Sequence, residues 1–151
     1  MSLERRNELI VELCEELDIP DADGIVEAGL LNASGFDLAI DFFEEDPQAI
    51  YLNFEYGIVS SGRTLRIFRL LLEANLTIYA QDQAQLGLDP DTGGIVLLLR
   101  VPLGDDVDGV YLGELVDHYV EHGRYWQNNI VGSSDEMFEN LASGDYMWIR
   151  V

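Results

Sequence analysis

The sequence predicts an α+β domain: a five-stranded antiparallel twisted sheet with three helices in the order α-β-β-β-α-β-β-α, followed by a short C-terminal extension. Three observations predict it. Residues 36–43 and 50–56 alternate their side chains with period two across short turns, which reads as an antiparallel meander. Three other stretches repeat their apolar residues at helical spacing. Between the second and third of these, two strand-like runs flank Pro90-Asp-Thr-Gly-Gly94, a hairpin turn. A chain of 151 residues has room for one domain, and such a domain buries about two-thirds of its unfolded surface. Residues 1–132 are expected to form it, with 133–151 an extension of the same domain.

The first helix is expected over residues 3–17. Leu3, Ile10, Leu13, Cys14 and Leu17 share a face with Leu9 beside them, and Glu and Arg occupy the other side. Asp18-Ile-Pro-Asp21 ends it. Cys14 lies in the stripe and reads as a small packed apolar residue, because a reactive thiol needs cationic neighbours. Three strands follow. The first, 24–32, alternates poorly. The second, 36–43, puts Phe36, Leu38, Ile40 and Phe42 on one face, and the third, 50–56, does the same with Ile50, Leu52, Phe54 and Tyr56. Ala33-Ser-Gly35 and Glu45-Asp-Pro47 are the turns.

The second helix, 63–76, carries two apolar stripes. Leu65, Leu72 and Leu76 lie together with Phe68 on their flank, while Ile67, Leu70, Leu71, Ala74 and Ile78 lie opposite. A surface helix in a monomer needs one stripe. The second predicts a partner, and the simplest is the same helix of a second copy. The expected seam is Leu65, Phe68, Arg69, Leu72 and Leu76. Arg63, Arg66 and Arg69 also gather on this helix, and two readings of them stand. They pair with nearby acids, such as Glu73 four positions from Arg69, or they hold a partner subunit's carboxylates around the stripe.

The hairpin arms are 85–89 and 95–103. The second arm, Ile95-Val-Leu-Leu-Leu-Arg-Val101, is apolar on both faces and is expected to be covered on both. Gly104-Asp-Asp-Val-Asp-Gly109 leads into the last helix, whose core stripe is Leu112, Val116, Tyr119, Gly123, Trp126 and Ile130; Gly132 ends it. Ser133 and Glu136 form a capping box for a short turn over 135–141. The stretch 146–151 reads as a terminal strand or a docked segment.

Charge narrows the function classes. Acidic residues number 29 against 8 basic ones, all Arg, for a formal net charge of −21. Such a surface repels nucleic-acid phosphates and anionic membranes, so neither is expected as a direct partner. Cys14 is the only cysteine, which leaves no internal disulfide and no sign of an oxidising compartment. The N-terminus lacks a signal-peptide run, and no stretch approaches the ~20 apolar residues of a membrane span. A cytoplasmic location is expected.

No cofactor, metal or catalytic residue is expected either. His118-Tyr-Val-Glu-His122 matches the HxxEH pattern of inverted zinc peptidases. That chemistry needs a third ligand from a second helix and a substrate cleft, and these histidines flank the core stripe as solvated residues do. Asp89-Pro-Asp-Thr-Gly-Gly94 starts like a calcium loop, but Gly93 and Arg100 occupy positions where the pattern requires an acid or amide and a Glu. A turn between strands explains it. No phosphate loop precedes a helix.

Several residues carry a family resemblance. They are Phe68-Arg-Leu-Leu-Leu-Glu-Ala-Asn75 with its Leu-Leu-x-x-Asn pattern, then Leu86-Gly-Leu-Asp-Pro-Asp-Thr-Gly-Gly-Ile-Val-Leu-Leu-Leu99. Val101-Pro-Leu103 and the terminal Tyr125-Trp126 of the last helix complete the set. Across residues 3–130 the chain resembles the type III secretion effector chaperones of the Tir-chaperone, class I kind. The resemblance implies a homodimer that binds the non-globular N-terminal segment of a secreted effector and keeps it soluble and export-competent, without ATP. Apolar residues on the far side of the strand alternation, Ile25, Leu31, Ala39, Phe43 and Tyr51, are the expected effector-binding set. Residues 131–151 depart from the shorter family members. Two rival classes remain at this level: an acidic inhibitor or immunity-type protein that blocks a basic enzyme or mimics nucleic acid, and an HxxEH zinc hydrolase.

Overall fold

Five strands and four helices follow one another in the computed structural model, which describes residues 2–131 apart from Ser60. They are α1 (Ser2–Glu16), α2 (Ala22–Ala28), β1 (Leu30–Ala33), β2 (Phe36–Asp41), β3 (Ala49–Ile58), α3 (Thr64–Ala74), β4 (Ala84–Leu88), β5 (Gly94–Pro102) and α4 (Gly109–Trp126). Among the described residues the sheet is antiparallel with strand order β1-β2-β3-β5-β4, so β1 and β4 are its edges there. The expected turn at 135–141 and the terminal strand at 146–151 lie outside the described residues. The chain forms two compact units, Met1–Asn53 with Arg100–Val120 and Phe54–Leu99 with Glu121–Val151.

In the first unit, α1 buries Leu9, Ile10, Leu13 and Cys14, while Leu3 stays exposed. Burial raises the Cys14 thiol pKa, as for a packed apolar residue. Gly109 lets the start of α4 come close to α1: a Cβ there would stand 2.7 Å from the Glu12 carbonyl carbon.

The segment read as a first strand over 24–32 is mostly helix. Asp21 caps α2, its carboxylate accepting from the Gly24 N–H at 3.3 Å. Gly29 ends it in the left-handed conformation (φ 72°), its N–H donating to Ile25 O at 2.7 Å. The strand is only β1, which turns into β2 through Ser34 and Gly35, both at positive φ. Register then decides facing. Leu31 pairs with Leu38 and Ala33 with Phe36, all four buried, while Leu30 pairs with Ala39 on the other face. Leu31, expected to face away from the core, is therefore 6% exposed, and Leu30 is the outward residue. Phe42 lies past the end of β2 and is half-buried rather than core.

Arg6 holds α2 in place. Its guanidinium donates to Val26 O at 2.9 Å and to Ile40 O at 3.0 Å, joining α1 to α2 and β2. Burial lowers its pKa, and the neighbouring Asp41 carboxylate acts the other way.

In the second unit, Phe54 and Tyr56 of β3 and Ile95, Leu97 and Leu99 of β5 are buried. Val96 and Leu98 on the opposite face of β5 are half-exposed, so the expected double coverage is met on one face. The arms pair as Ala84↔Leu99, Leu86↔Leu97 and Leu88↔Ile95. A π-helical turn, Asn75–Tyr79, extends α3. From it, the Asn75 amide donates to Leu86 O and its oxygen accepts from Leu86 N–H, satisfying two groups on edge strand β4. Trp126 and Ile130 are buried as the last helix's stripe predicts.

Candidate interaction surfaces

Thr64 to Ala74 form a helix because the run holds Leu, Ile, Phe and Arg with no Gly or Pro. Its spacing puts Ile67, Leu70, Leu71 and Ala74 on one face, where they are buried. The opposite face is open. Leu65 is 83%, Leu72 72% and Leu76 79% exposed, with Phe68 at the edge of this strip. Fully burying a Leu side chain contributes roughly 1.5–3 kcal/mol, so the strip carries several kcal/mol of unused apolar surface. The cations on this helix have partners within the chain. Arg69 Nε meets Glu73 Oε1 at 2.9 Å, and Arg63 donates to Ile130 O at 2.8 Å. Arg69 thus follows the first of the two readings.

A second apolar feature lies on the outward face of the sheet in the first unit. The β2–β3 turn brings Phe43 edge-on to Tyr51, with ring centroids 5.1 Å apart. Phe43 is 45% exposed. The Tyr51 hydroxyl donates to Asp46 Oδ2 at 2.6 Å. Arg100 of β5 grips the same carboxylate with both prongs, Nε to Oδ2 at 2.7 Å and Nη2 to Oδ1 at 2.9 Å. The Arg100 fork, with help from Tyr51, holds the Asp46 carboxyl at about 2. Ala39, half-buried, and Leu30, exposed, share this outward face. Of the five expected effector-binding residues, Ala39, Phe43 and Tyr51 lie here. Ile25 is half-buried on α2, and Leu31 is in the core.

Asp46, Arg100 and Leu30 are not among the residues the sequence marks for an interaction surface. Asp46 and Arg100 stand far apart in the chain, and only the pairing of strands brings them together. Leu30 is hidden when residues 24–32 are read as one strand, although Asp21 and Gly29 mark both ends of α2.

The two histidines part ways. His118 is exposed, its ring edge-on to Tyr119 at 4.8 Å. His122, expected to be solvated, is half-buried, and its Nδ1 is hydrogen-bonded to the Tyr79 hydroxyl at 2.8 Å. Trp126 Nε1–H donates to that hydroxyl at 3.1 Å, and burial pushes the Tyr79 phenol up. His122 therefore serves the interior of the second unit. Among the described residues, no group of three or more His, Cys, Asp or Glu is arranged to hold a metal ion, and no helix is long and apolar enough to cross a membrane.

Chains of three solved protein complexes share this arrangement. The chain is similar to a chain of the ExsC–ExsE complex at 18% identity, with a TM-score of 0.65 over 87% of this chain and 98% of that one. A chain of the HopA1–SchA chaperone–effector complex matches at 15% identity and a TM-score of 0.58, over 83% of this chain and 94% of that one. A chain of the heterodimeric ExoU–SpcU complex, from the type III secretion system of Pseudomonas aeruginosa, matches at 23% identity and 0.53, over 79% and 94%. At these identities the likeness shows the fold. No curated protein sequence matches significantly. The sequence model of the Tir chaperone protein (CesT) family matches residues 8–127, and the chain belongs to that family.

Proposed function

We propose that the protein is a homodimeric chaperone for a type III secretion effector. It binds the non-globular N-terminal segment of the effector and keeps it soluble and export-competent without ATP. The observation that carries the reading is the family match over residues 8–127. The geometry supports it with two open apolar surfaces on a chain of net charge −21: the α3 strip and the outward sheet face. In this reading Leu65, Phe68, Leu72 and Leu76 form the dimer seam, flanked by Arg69. The guest lies across Leu30, Ala39, Phe43 and Tyr51. An extended guest gains main-chain hydrogen bonds at a sheet edge and buries alternate side chains. The protein works in the cytoplasm, performs no catalysis and uses no metal, nucleic acid or membrane. Residues 1–132 are the binding domain and 133–151 an extension of it.

Co-expression with a candidate secreted protein encoded beside the gene tests this. The expected result is a soluble complex whose light-scattering mass contains two copies of the chain, unaffected by ATP and retained as salt rises. Exposed charge pairs are screened within ~8 Å at physiological ionic strength, while buried apolar contact is not. Phe43→Asp and Tyr51→Asp should each weaken capture and leave the dimer intact. A partner stripped by salt and indifferent to both changes marks an electrostatic inhibitor instead.

A further inference from the structure

The outward sheet face in the first unit is built around an ion pair, and the pair shapes what the face can take. Asp46 sits in the β2–β3 turn, a segment pinned at both ends. Asp46 N–H donates to Phe43 O at 3.0 Å, and Leu103 N–H donates to Gln48 O at 2.8 Å. Its carboxylate receives three hydrogen bonds, two from Arg100 and one from Tyr51. Two consequences follow. The Tyr51 ring cannot swing without breaking a 2.6 Å hydrogen bond, so it is held where its edge contact with Phe43 forms. The Asp46 and Arg100 charges also pair with each other, so neither stands alone beside the two rings. Glu44 and Glu45, next to Phe43 in the same turn, are exposed and carry negative charge.

We infer that Asp46 and Arg100 are positioning residues for guest recognition: they hold Tyr51 against Phe43 as an aromatic step that takes a leucine- or phenylalanine-bearing extended segment with a basic residue beside it. The step supplies the apolar seat. Glu44 and Glu45 supply the charge that favours a cation next to it and disfavours an acid. The inference rests on the chaperone reading for the identity of the guest as an effector segment, but the recognition itself is local.

The test needs no effector. A synthetic peptide of alternating leucine and serine, flanked by lysines, is titrated into the full-length protein while the Phe43 and Tyr51 ring signals are followed by NMR. Both signals should shift and saturate. A peptide with serine in place of leucine should move neither, and one flanked by glutamates should bind more weakly. Asp46→Asn and Tyr51→Phe each keep the side-chain shape and remove one end of the lock. Each should weaken the leucine peptide about three- to tenfold, the scale of one hydrogen bond. The double variant should be no weaker than the weaker single, because both changes break one device. Arg100→Lys, which loses the two-pronged grip, should behave like Asp46→Asn.

A purely structural role would lower the melting temperature of these variants and leave peptide affinity unchanged. That result overturns the inference, as does an equal shift with the serine peptide. If the leucine peptide binds as expected but no secreted protein is ever captured, the aromatic step stands and the chaperone reading falls. If an effector is captured but Asp46→Asn leaves peptide affinity unchanged, the chaperone reading stands and the aromatic step falls.

Discussion

Asp46 shows how much a single side chain can organise when strands bring it a partner. The Arg100 fork stabilises its ionised form and the Tyr51 hydroxyl adds to this, so its pKa falls to about 2 from an ordinary carboxylate value. A carboxyl depressed in the folded state stabilises the fold above its unfolded pKa of about 3.9. That contribution is lost as pH falls through the folded value. The melting temperature should therefore drop between pH ~4 and ~2 more steeply in the wild type than in Asp46→Asn. Thermal melts of both proteins across that range check it, and parallel curves would show that the pair adds nothing. Asn75 has a comparable role in the second unit. The sequence marked it only as part of a family pattern; the structure shows its amide closing two backbone groups of β4.

At the scale of the element, α3 and α2 teach opposite lessons. The two stripes of α3 were legible because helical geometry fixes which side chains share a face, whatever the helix packs against. One stripe is buried and the other open, and the open one gives a clean experiment. Leu72→Glu should leave helix content and melting temperature nearly unchanged at high dilution, since surface changes cost within ~0.5 kcal/mol. At higher concentration it should abolish the dimer seen by light scattering, because a charge would enter the seam. Ile67→Ala, one residue of the buried stripe, should instead cost about 2–5 kcal/mol by chemical denaturation. A wild type that scatters as a monomer at micromolar concentration removes the seam altogether. α2 leaves little mark in the sequence, because seven residues with no fully buried side chain carry little periodicity. Its stability comes from caps at both ends and from Arg6, which the chain delivers from another helix.

For the whole molecule, charge is the governing quantity. A net charge of −21 destabilises any compact state through self-repulsion, and bringing two such copies together adds repulsion between them. Salt screens both. The melting temperature and the dimer affinity should both rise from low to physiological ionic strength, with a Debye length falling from about 30 Å at 0.01 M to about 8 Å. An interface held mainly by Arg–carboxylate pairs would weaken over the same range. Analytical ultracentrifugation across a salt series separates the two, and dissociation on adding salt would overturn the apolar seam.

The sequence by itself determined the quantities that depend on near neighbours in the chain. These are the period of β2, β3, α3 and α4, the hairpin at Pro90-Asp-Thr-Gly-Gly94, the two faces of α3, and a charge that disfavours anionic partners. Each follows from local backbone geometry or from counting. Tertiary structure alone decided the rest. The strand register turned Leu31 inward and Leu30 outward, because side-chain facing flips with a one-residue shift. Strand pairing brought Arg100 to Asp46 from a distant part of the chain, and packing drew His122 from an expected solvated position to a hydrogen bond with Tyr79. Such contacts join residues distant in sequence, and no local pattern records which distant residue will arrive.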